Sequence, residues 1–419
     1  MSLLARICLV RCGSLSTGSS CLRKALSTSL KYGYDPVRNG AKKIPRLAKP
    51  SLCLENTNIF QIQRTFRTTA RNDIPIPPII WVVIKPIVKV LGMFTGRSMR
   101  GWWSRLSDSE KSRFRRRSQV PLAAIAALLG VASVVYYVAH LQETPITHRR
   151  RYITFTPSQF EKISAFEKDM LLETYSASIL PEKHPLYSRV GRVVKRISNA
   201  NSDLEFMANQ HWNVIVIKSP EQNAFVLPTG EIFVFTGLFD MVTNDDQLAV
   251  VIGHEMSHAL LSHGAERVSY AQLVDVVVIF VLAAIWFFMP TDGIAAVTHY
   301  FYQKVIEVIL NLPYERKLET EADIVGLELM AKACYDVRES SHFWDLMNYK
   351  TQGEGEAELP EWLSTHPSHE NRSQHLKSLV PKAIDTRNIC KCPPLGMKDP
   401  SDGIVLLKKI VNEIQLKQS

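Results

Sequence analysis

The chain has 419 residues and a formal net charge of +10. That length suits one large domain with extensions, or two domains. The charge is local: residues 1–70 hold twelve Lys and Arg against only Asp35 and Glu55, leaving 38 bases against 38 acids elsewhere. A basic balance confined to one end says little about nucleic acid.

Residues 1–73 are rich in Arg, Ser and Thr and poor in acids, the composition of a mitochondrial transit peptide. The stretch Arg64-Thr65-Phe66-Arg67-Thr68-Thr69 reads as a two-step cleavage site, with a mature start near Ile74. A basic arm that stays attached is the alternative. Four of the seven cysteines lie in this leader, so no disulfide framework is expected. Cys334, Cys390 and Cys392 remain. The Cys390-x-Cys392 pair is too isolated for a metal site and reads as inert or redox-sensitive.

Residues 119–142 contain no Asp, Glu, Lys or Arg, and 120–141 are long enough to cross a bilayer as a helix. A buried core helix would need a polar face, which this stretch lacks. Eight Lys or Arg lie in 97–119 and four in 142–162. The positive-inside rule then puts the N-terminal side in the matrix of a mitochondrial inner membrane, with the bulk of the chain facing the intermembrane space. Residues 74–119 read as a basic matrix-side segment. Its apolar part, "PPIIWVVIKPIVKVLGMF", either lies on the anionic leaflet or is a plain linker. The basic group 148–151, just past the span, reads as facing lipid head groups or solvent.

The stretch "VIGHEMSHALLSHGAERV" (251–268) contains His-Glu-x-x-His. Asn244, Asp245 and Asp246 offer an N-cap and first-turn acids, and apolar residues recur with helical period from Leu248 to Leu260. His254 and His258 then share a helix face and can reach one Zn²⁺. Glu255 beside them suits a general base that takes a proton from the metal's water and passes it to the leaving amine. Two satisfied histidines on a core helix are the bland alternative. A catalytic zinc needs a third protein ligand and a water. The metzincin spacing fails, because Leu261 replaces its Gly and His263 comes one residue early. The next donors are Glu319 and Asp323, four apart on a predicted helix. Glu319 can ligate zinc, and Asp323 can support a ligand His. Ala322 and Gly326 are small enough for close packing on the first helix.

The ligands must lie on one side of any membrane. The apolar run 276–289 is fourteen residues long, short for a full span. It is expected to stay at the surface, or to dip in and return with 294–312. The strand "EIFVFTG" (231–237) is expected either to pair with an extended substrate or to be interior.

Four stretches carry a family resemblance: "NAFVLPTGEIFVFTGLF" (223–239), "GHEMSHALLSH", "ETEAD" (319–323) and "STHPSHENR" (364–372). In this order they resemble the membrane-associated gluzincin peptidases that include bacterial HtpX and the eukaryotic CAAX prenyl endopeptidases, over residues 165–385. The leader and the single strong span narrow the resemblance to mitochondrial inner-membrane members. It implies Glu319 as ligand and Asp323 as its support. It implies that His366 stabilises the tetrahedral oxyanion and that Arg372 holds nearby structure or substrate. It also implies a stress-activated quality-control protease that cleaves inner-membrane proteins, such as a dynamin-like fusion GTPase. HtpX-type members have two clear spans between the zinc helix and the Glu helix, whereas this region is shorter here.

The expected fold is α+β, mostly helical. A zincin-type metallopeptidase domain at 142–385 carries a small sheet beside the zinc helix and a hairpin at 273–312. One N-terminal transmembrane helix tethers it, and 386–419 form a C-terminal tail. The expected activity is zinc-dependent and ATP-independent, since no Walker-type Gly-rich loop with Lys is present. Expected partners are membrane-protein substrates and inner-membrane lipids, with self-association open and no nucleic acid or nucleotide. Two alternatives stand beside this reading. One is a non-catalytic zinc-binding membrane scaffold. The other is an endoplasmic-reticulum prenyl-protein endopeptidase, which demands more spans and no transit peptide.

Overall fold

The computed structural model describes residues 78–307, 310, 312–354, 366 and 372–402, all within the contact unit Asn58–Ser419. The expected transit peptide (1–73) and residues 403–419 lie outside the described residues.

Two long helices open the described chain, α1 (Pro78–Arg105) and α2 (Asp108–Ala139). Ser107 joins them. Its Oγ caps the Glu110 N–H, and the Glu110 carboxylate accepts the Ser107 N–H at 2.8 Å, a reciprocal cap that fixes the start of α2. Trp102 and Trp103 pack edge-on against Phe114 and close the hairpin. No residue of α2 is buried, although Leu128, Leu129, Val134 and Val135 lie along it.

A short antiparallel hairpin follows, β1 (Leu141–Glu143) with β2 (Arg150–Tyr152). Then come α3 (Pro157–Tyr175), α4 (Pro185–Ala200) and α5 (Glu205–Asn209), and a sheet of β3 (Asn213–Ile217), β4 (Ala224–Val226) and β5 (Glu231–Phe235). The sheet order is β3-β5-β4, with β3 parallel and β4 antiparallel to β5. β5 is therefore central, and both of its edges are paired. The strand considered for substrate pairing is interior instead. Its side chains alternate between two cores, as a strand requires. Ile232 and Val234 join the main core, while Phe233 and Phe235 join a second cluster with Leu171, Leu172 and Tyr175 of α3.

Next are α6 (Asp245–Leu260), α7 (His263–Phe288), α8 (Asp292–Ile306), α9 (Leu312–Lys332), α10 (Glu339–Glu354) and α11 (Arg372–Ile389). α6 begins where Asn244 accepts the Gln247 N–H at 2.8 Å and is buried on nearly every side. α9 crosses it closely. A Cβ on Gly326 would sit 3.0 Å from the His254 nitrogen, so glycine sets how near the two helices approach.

α7 has 26 residues, far more than the apolar run predicted. Its first turns are polar yet buried, because Glu266, Ser269 and Asp275 find partners in Arg149, Thr154 and the pair Lys85 and Lys89. Paired polar groups let a helix extend where hydropathy alone stops it. α8 turns back after Pro290, and Leu282, Ile285, Trp286 and Ala295 pack between the two helices.

The apolar segment ahead of α2 is not a plain linker, because α1 docks on α7. Lys85 and Lys89 pair with Asp275 at 2.5 and 3.1 Å, and Arg100 donates to the Met289 carbonyl at 2.7 Å and to Asp292. Between these points Gly92 faces Ile279, and a Cβ on Gly96 would collide with the Ala283 carbonyl. Residue numbers rise together along both helices, so they run parallel. Gly92-x-x-x-Gly96 is the small-residue spacing that lets membrane helices approach closely.

The described start of the expected C-terminal tail, 386–402, is anchored. Cys334 and Cys392 form a disulfide, and Arg387 donates to the carbonyls of Tyr335 and Pro393. The chain just past α11 is therefore pinned to the core, and Cys392 pairs with Cys334 rather than with its neighbour Cys390.

Candidate active site

Helical periodicity brings two residues of α6 to one face. His254 and His258 are one turn apart, with their Nε2 atoms 3.1 Å apart. α9 supplies Glu319, whose Oε2 lies 3.2 Å from His254 Nε2. His366, on a bend ahead of α11, places Nδ1 2.9 Å from Glu319 Oε2 and 3.4 Å from His254 Nε2. One donor atom from each of His254, His258, Glu319 and His366 lies within 4.8 Å of the others.

Three of these were the expected ligands. The fourth was expected on the oxyanion side, with water completing the metal's shell. The structure places the His366 imidazole within the same group, against Glu319 and Glu255. Spacing along one helix sets the first two positions, but His366 is more than forty residues past Glu319, so only tertiary folding fixes its place.

Electrostatics shape the cage. Burial would raise the Glu319 carboxyl, but His366 and His258 beside it hold it well below the usual range. Burial pushes His258 well below the usual imidazole value, keeping it in the neutral form that donates a lone pair. Burial also disfavours a charged His254, but hydrogen bonds to Asp323 and Glu319 outweigh this and hold it at about 9. Glu319 Oε1 is buried and takes no hydrogen bond, though His258 Nε2 lies 3.5 Å away. An orphaned carboxylate oxygen among imidazole nitrogens is the donor chemistry of a divalent metal site.

Glu255 is buried next to His254, and its Oε1 lies 3.3 Å from His366 Nε2. Asp323 accepts from His254 Nδ1 at 3.0 Å, fixing that ring. Arg372 grips the same carboxylate, with Nε to Oδ2 at 2.5 Å and Nη2 to Oδ1 at 2.6 Å. Its guanidinium lies 3.8 Å over the Trp344 ring. It is 3 % exposed, which places it in the frame rather than in contact with a substrate.

Residues 187–380, which span this cage and its supports, match the sequence profile described as peptidase family M48. The mitochondrial metalloendopeptidase OMA1 of Danio rerio is 41% identical over 347 residues, covering 82% of this chain and 72% of that protein. The chain belongs to peptidase family M48. The Bos taurus OMA1 is 38% identical, covering 84% of this chain and 68% of that protein. The Saccharomyces cerevisiae protein of the same name is 30% identical over 65% of this chain and 78% of that protein. This M48 peptidase is a metalloendopeptidase, and these relatives are mitochondrial.

Sequence reasoning missed several residues around the M48 site. His263 drew notice only for failing the metzincin spacing, yet its Nδ1 lies 2.9 Å from His258 Nδ1. Glu321, between the ligand and support positions of α9, contacts His263. Arg149 was placed in solvent or lipid, yet it reaches both Glu266 and Glu321. Trp344, fully buried in α10, carried no signal beyond its hydrophobicity.

Proposed function

We propose that the chain is a zinc-dependent, ATP-independent endopeptidase of the mitochondrial inner membrane that cleaves membrane proteins in quality control. The observation that carries this is the buried donor cage of His254, His258, Glu319 and His366 with the Glu255 carboxylate against it. A Zn²⁺ held there would polarise the scissile carbonyl and acidify water. Glu255 takes the proton of the attacking water and delivers it to the departing amine. Asp323, gripped by Arg372, keeps His254 oriented. His366 is the donor best placed to yield to substrate, since it alone of the four stands outside α6 and α9. An imidazole there would donate to the oxyanion that develops on the substrate carbonyl.

Four protein donors are the pattern of a closed, structural zinc site, which favours a scaffold. Membership of a peptidase family and the buried Glu255 beside the cage weigh against that reading.

For the membrane setting, two described helices are long and apolar enough to cross, α2 and α7. α2 presents bare apolar side chains on every side, which a bilayer would cover. We read α2 as the crossing, with the basic turn near 97–117 in the matrix and the peptidase domain in the intermembrane space. α7 and α8 then dip in and return. Because α1 runs parallel to α7, residue 78 lies toward the peptidase end of that pair. The matrix-side portion is then the turn, rather than all of 74–119. The Cys334–Cys392 disulfide supports the peptidase domain lying outside a strongly reducing compartment.

The test compares wild type with Glu255→Gln in mitochondria whose inner-membrane potential is collapsed, following fragments of inner-membrane proteins exposed to the intermembrane space. Loss of a specific cleavage in the variant is expected. Identical fragment patterns would overturn the reading.

A further inference from the structure

A continuous line of polar contacts runs from the turn after α2 to the metal donor His258. His258 faces the cage with Nε2. A neutral imidazole that donates a lone pair there carries its proton on Nδ1. That N–H points at His263 Nδ1, 2.9 Å away, which must then be bare. The His263 proton is thereby placed on Nε2, 3.3 Å from Glu321 Oε2. Glu321 also accepts from Arg149 Nε at 2.6 Å and from the Thr147 hydroxyl. The two terminal nitrogens of Arg149 each donate to Glu266, on α7, at 2.6 Å. Tyr314 donates to the same carboxylate at 2.8 Å.

Every proton in this line has one consistent position. Reversing the His258–His263 bond would put the His258 proton on Nε2 and remove it as a metal donor. The middle of the line is buried: His263 and Glu266 are each 1 % exposed, while the Arg149 side chain is 15 % exposed. Buried, charge-assisted contacts of this kind hold their partners firmly, and breaking one leaves an uncompensated group.

The turn that delivers Thr147 and Arg149 is unusual. Ile146 and His148 both take left-handed backbone conformations, φ 69° and 51°, costly for residues with side chains. Two bonds hold it in that shape, Thr144 N–H to the Arg149 carbonyl and Arg149 N–H to Thr144 Oγ1, each 2.9 Å. The shape aims Thr147 and Arg149 inward at α7 and α9, while His148 and Arg150 stay exposed.

We propose that His263, Glu321 and Arg149 are positioning residues of the metal site, through which the turn at 144–149 sets the tautomer and orientation of His258. The inference rests on the metallopeptidase reading above. It makes metal affinity depend on how the end of α2 sits against α7 and α9. If that turn withdraws, Glu321 and His263 lose their anchor and His258 is free to rotate out of register.

The experiment uses the full chain in detergent. It reads zinc affinity by competition with a chromogenic chelator, and the visible spectrum of the Co²⁺-loaded protein. Wild type and Glu255→Gln serve as references. His263→Phe keeps volume but removes the acceptor, and Arg149→Met removes the fork. Both are expected to weaken zinc binding by about ten- to a hundredfold and to shift the Co²⁺ bands. His263→Asn, which keeps an acceptor for His258, should recover part of the loss, as should Arg149→Lys. If His263→Phe does not fold, His263→Asn and Arg149→Lys carry the same reading, with weakened binding expected for both relative to wild type. If the variants bind zinc as tightly as wild type with unchanged Co²⁺ bands, the inference is wrong. If wild type itself takes up no metal, the metallopeptidase reading fails instead.

Discussion

Asp323 holds two residues at once. It orients His254 from one oxygen and neutralises Arg372 with both, in a site where Asp323 is 6 % exposed. Asp323→Asn keeps the shape but removes the charge, leaving the buried Arg372 guanidinium only Glu319, 3.6 Å away, as an anionic neighbour. We expect about 3 kcal/mol of lost stability and about tenfold or more weaker zinc binding. Thermal unfolding of the metal-free and metal-loaded variant checks both. A variant within twofold of wild type on metal affinity would remove Asp323 from the account. At this scale the sequence was informative where a helix imposes the geometry. His254 with His258, and Glu319 with Asp323, are four apart and therefore share a face. It was silent where the geometry comes from the fold. Nothing in the spacing of Glu321 or Arg149 shows that they meet His263, and nothing places His366 among the donors.

The crossing of α6 and α9 is the element-scale counterpart. Two small residues were readable in advance, Ala322 and Gly326, and the backbone contact at Gly326 is what brings Glu319 to His254. Gly326→Val would push the helices apart, at a cost of about 1–3 kcal/mol, and would move the carboxylate away from the imidazoles. The expected result is a lowered melting temperature together with reduced metal content per chain. Unchanged metal content in a folded variant would argue that the crossing does not set the cage. Hydropathy was a poorer guide elsewhere. It marked the apolar end of α7 but not the polar turns 263–275, because ion pairs and hydrogen bonds to distant residues keep those turns helical and buried. Alternation marked β5 as a strand, yet both its faces and both its edges are occupied.

The whole molecule joins a set of long apolar helices to a peptidase core, and two predictions belong to that scale. The first concerns sides. Single reactive cysteines at Ser112 and Ser158 should be labelled from opposite faces of the inner membrane, because α2 lies between them. Labelling of both from one face would contradict the crossing. The second concerns the Cys334–Cys392 link, which closes a loop of 58 residues and should contribute about 4 kcal/mol by restricting the unfolded chain. Unfolding with and without reductant, with Cys334→Ser as control, measures it. Equal stability in both conditions would show the bond to be energetically idle. Cysteine spacing alone could not pair these two, since the nearer neighbour of Cys392 in sequence is Cys390. The choice is made by α11, which carries Cys392 back to Cys334, just past α9.

The central claim is that a metal cage and one buried carboxylate together perform the hydrolysis. The most direct measurement takes purified wild type and Glu255→Gln and determines metal content per chain and cleavage rate on the same preparations. The account predicts one zinc in each protein and a cleavage rate at least about a hundredfold lower in the variant. Cleavage by Glu255→Gln at the wild-type rate, or full activity in a wild-type protein stripped of metal, would contradict it.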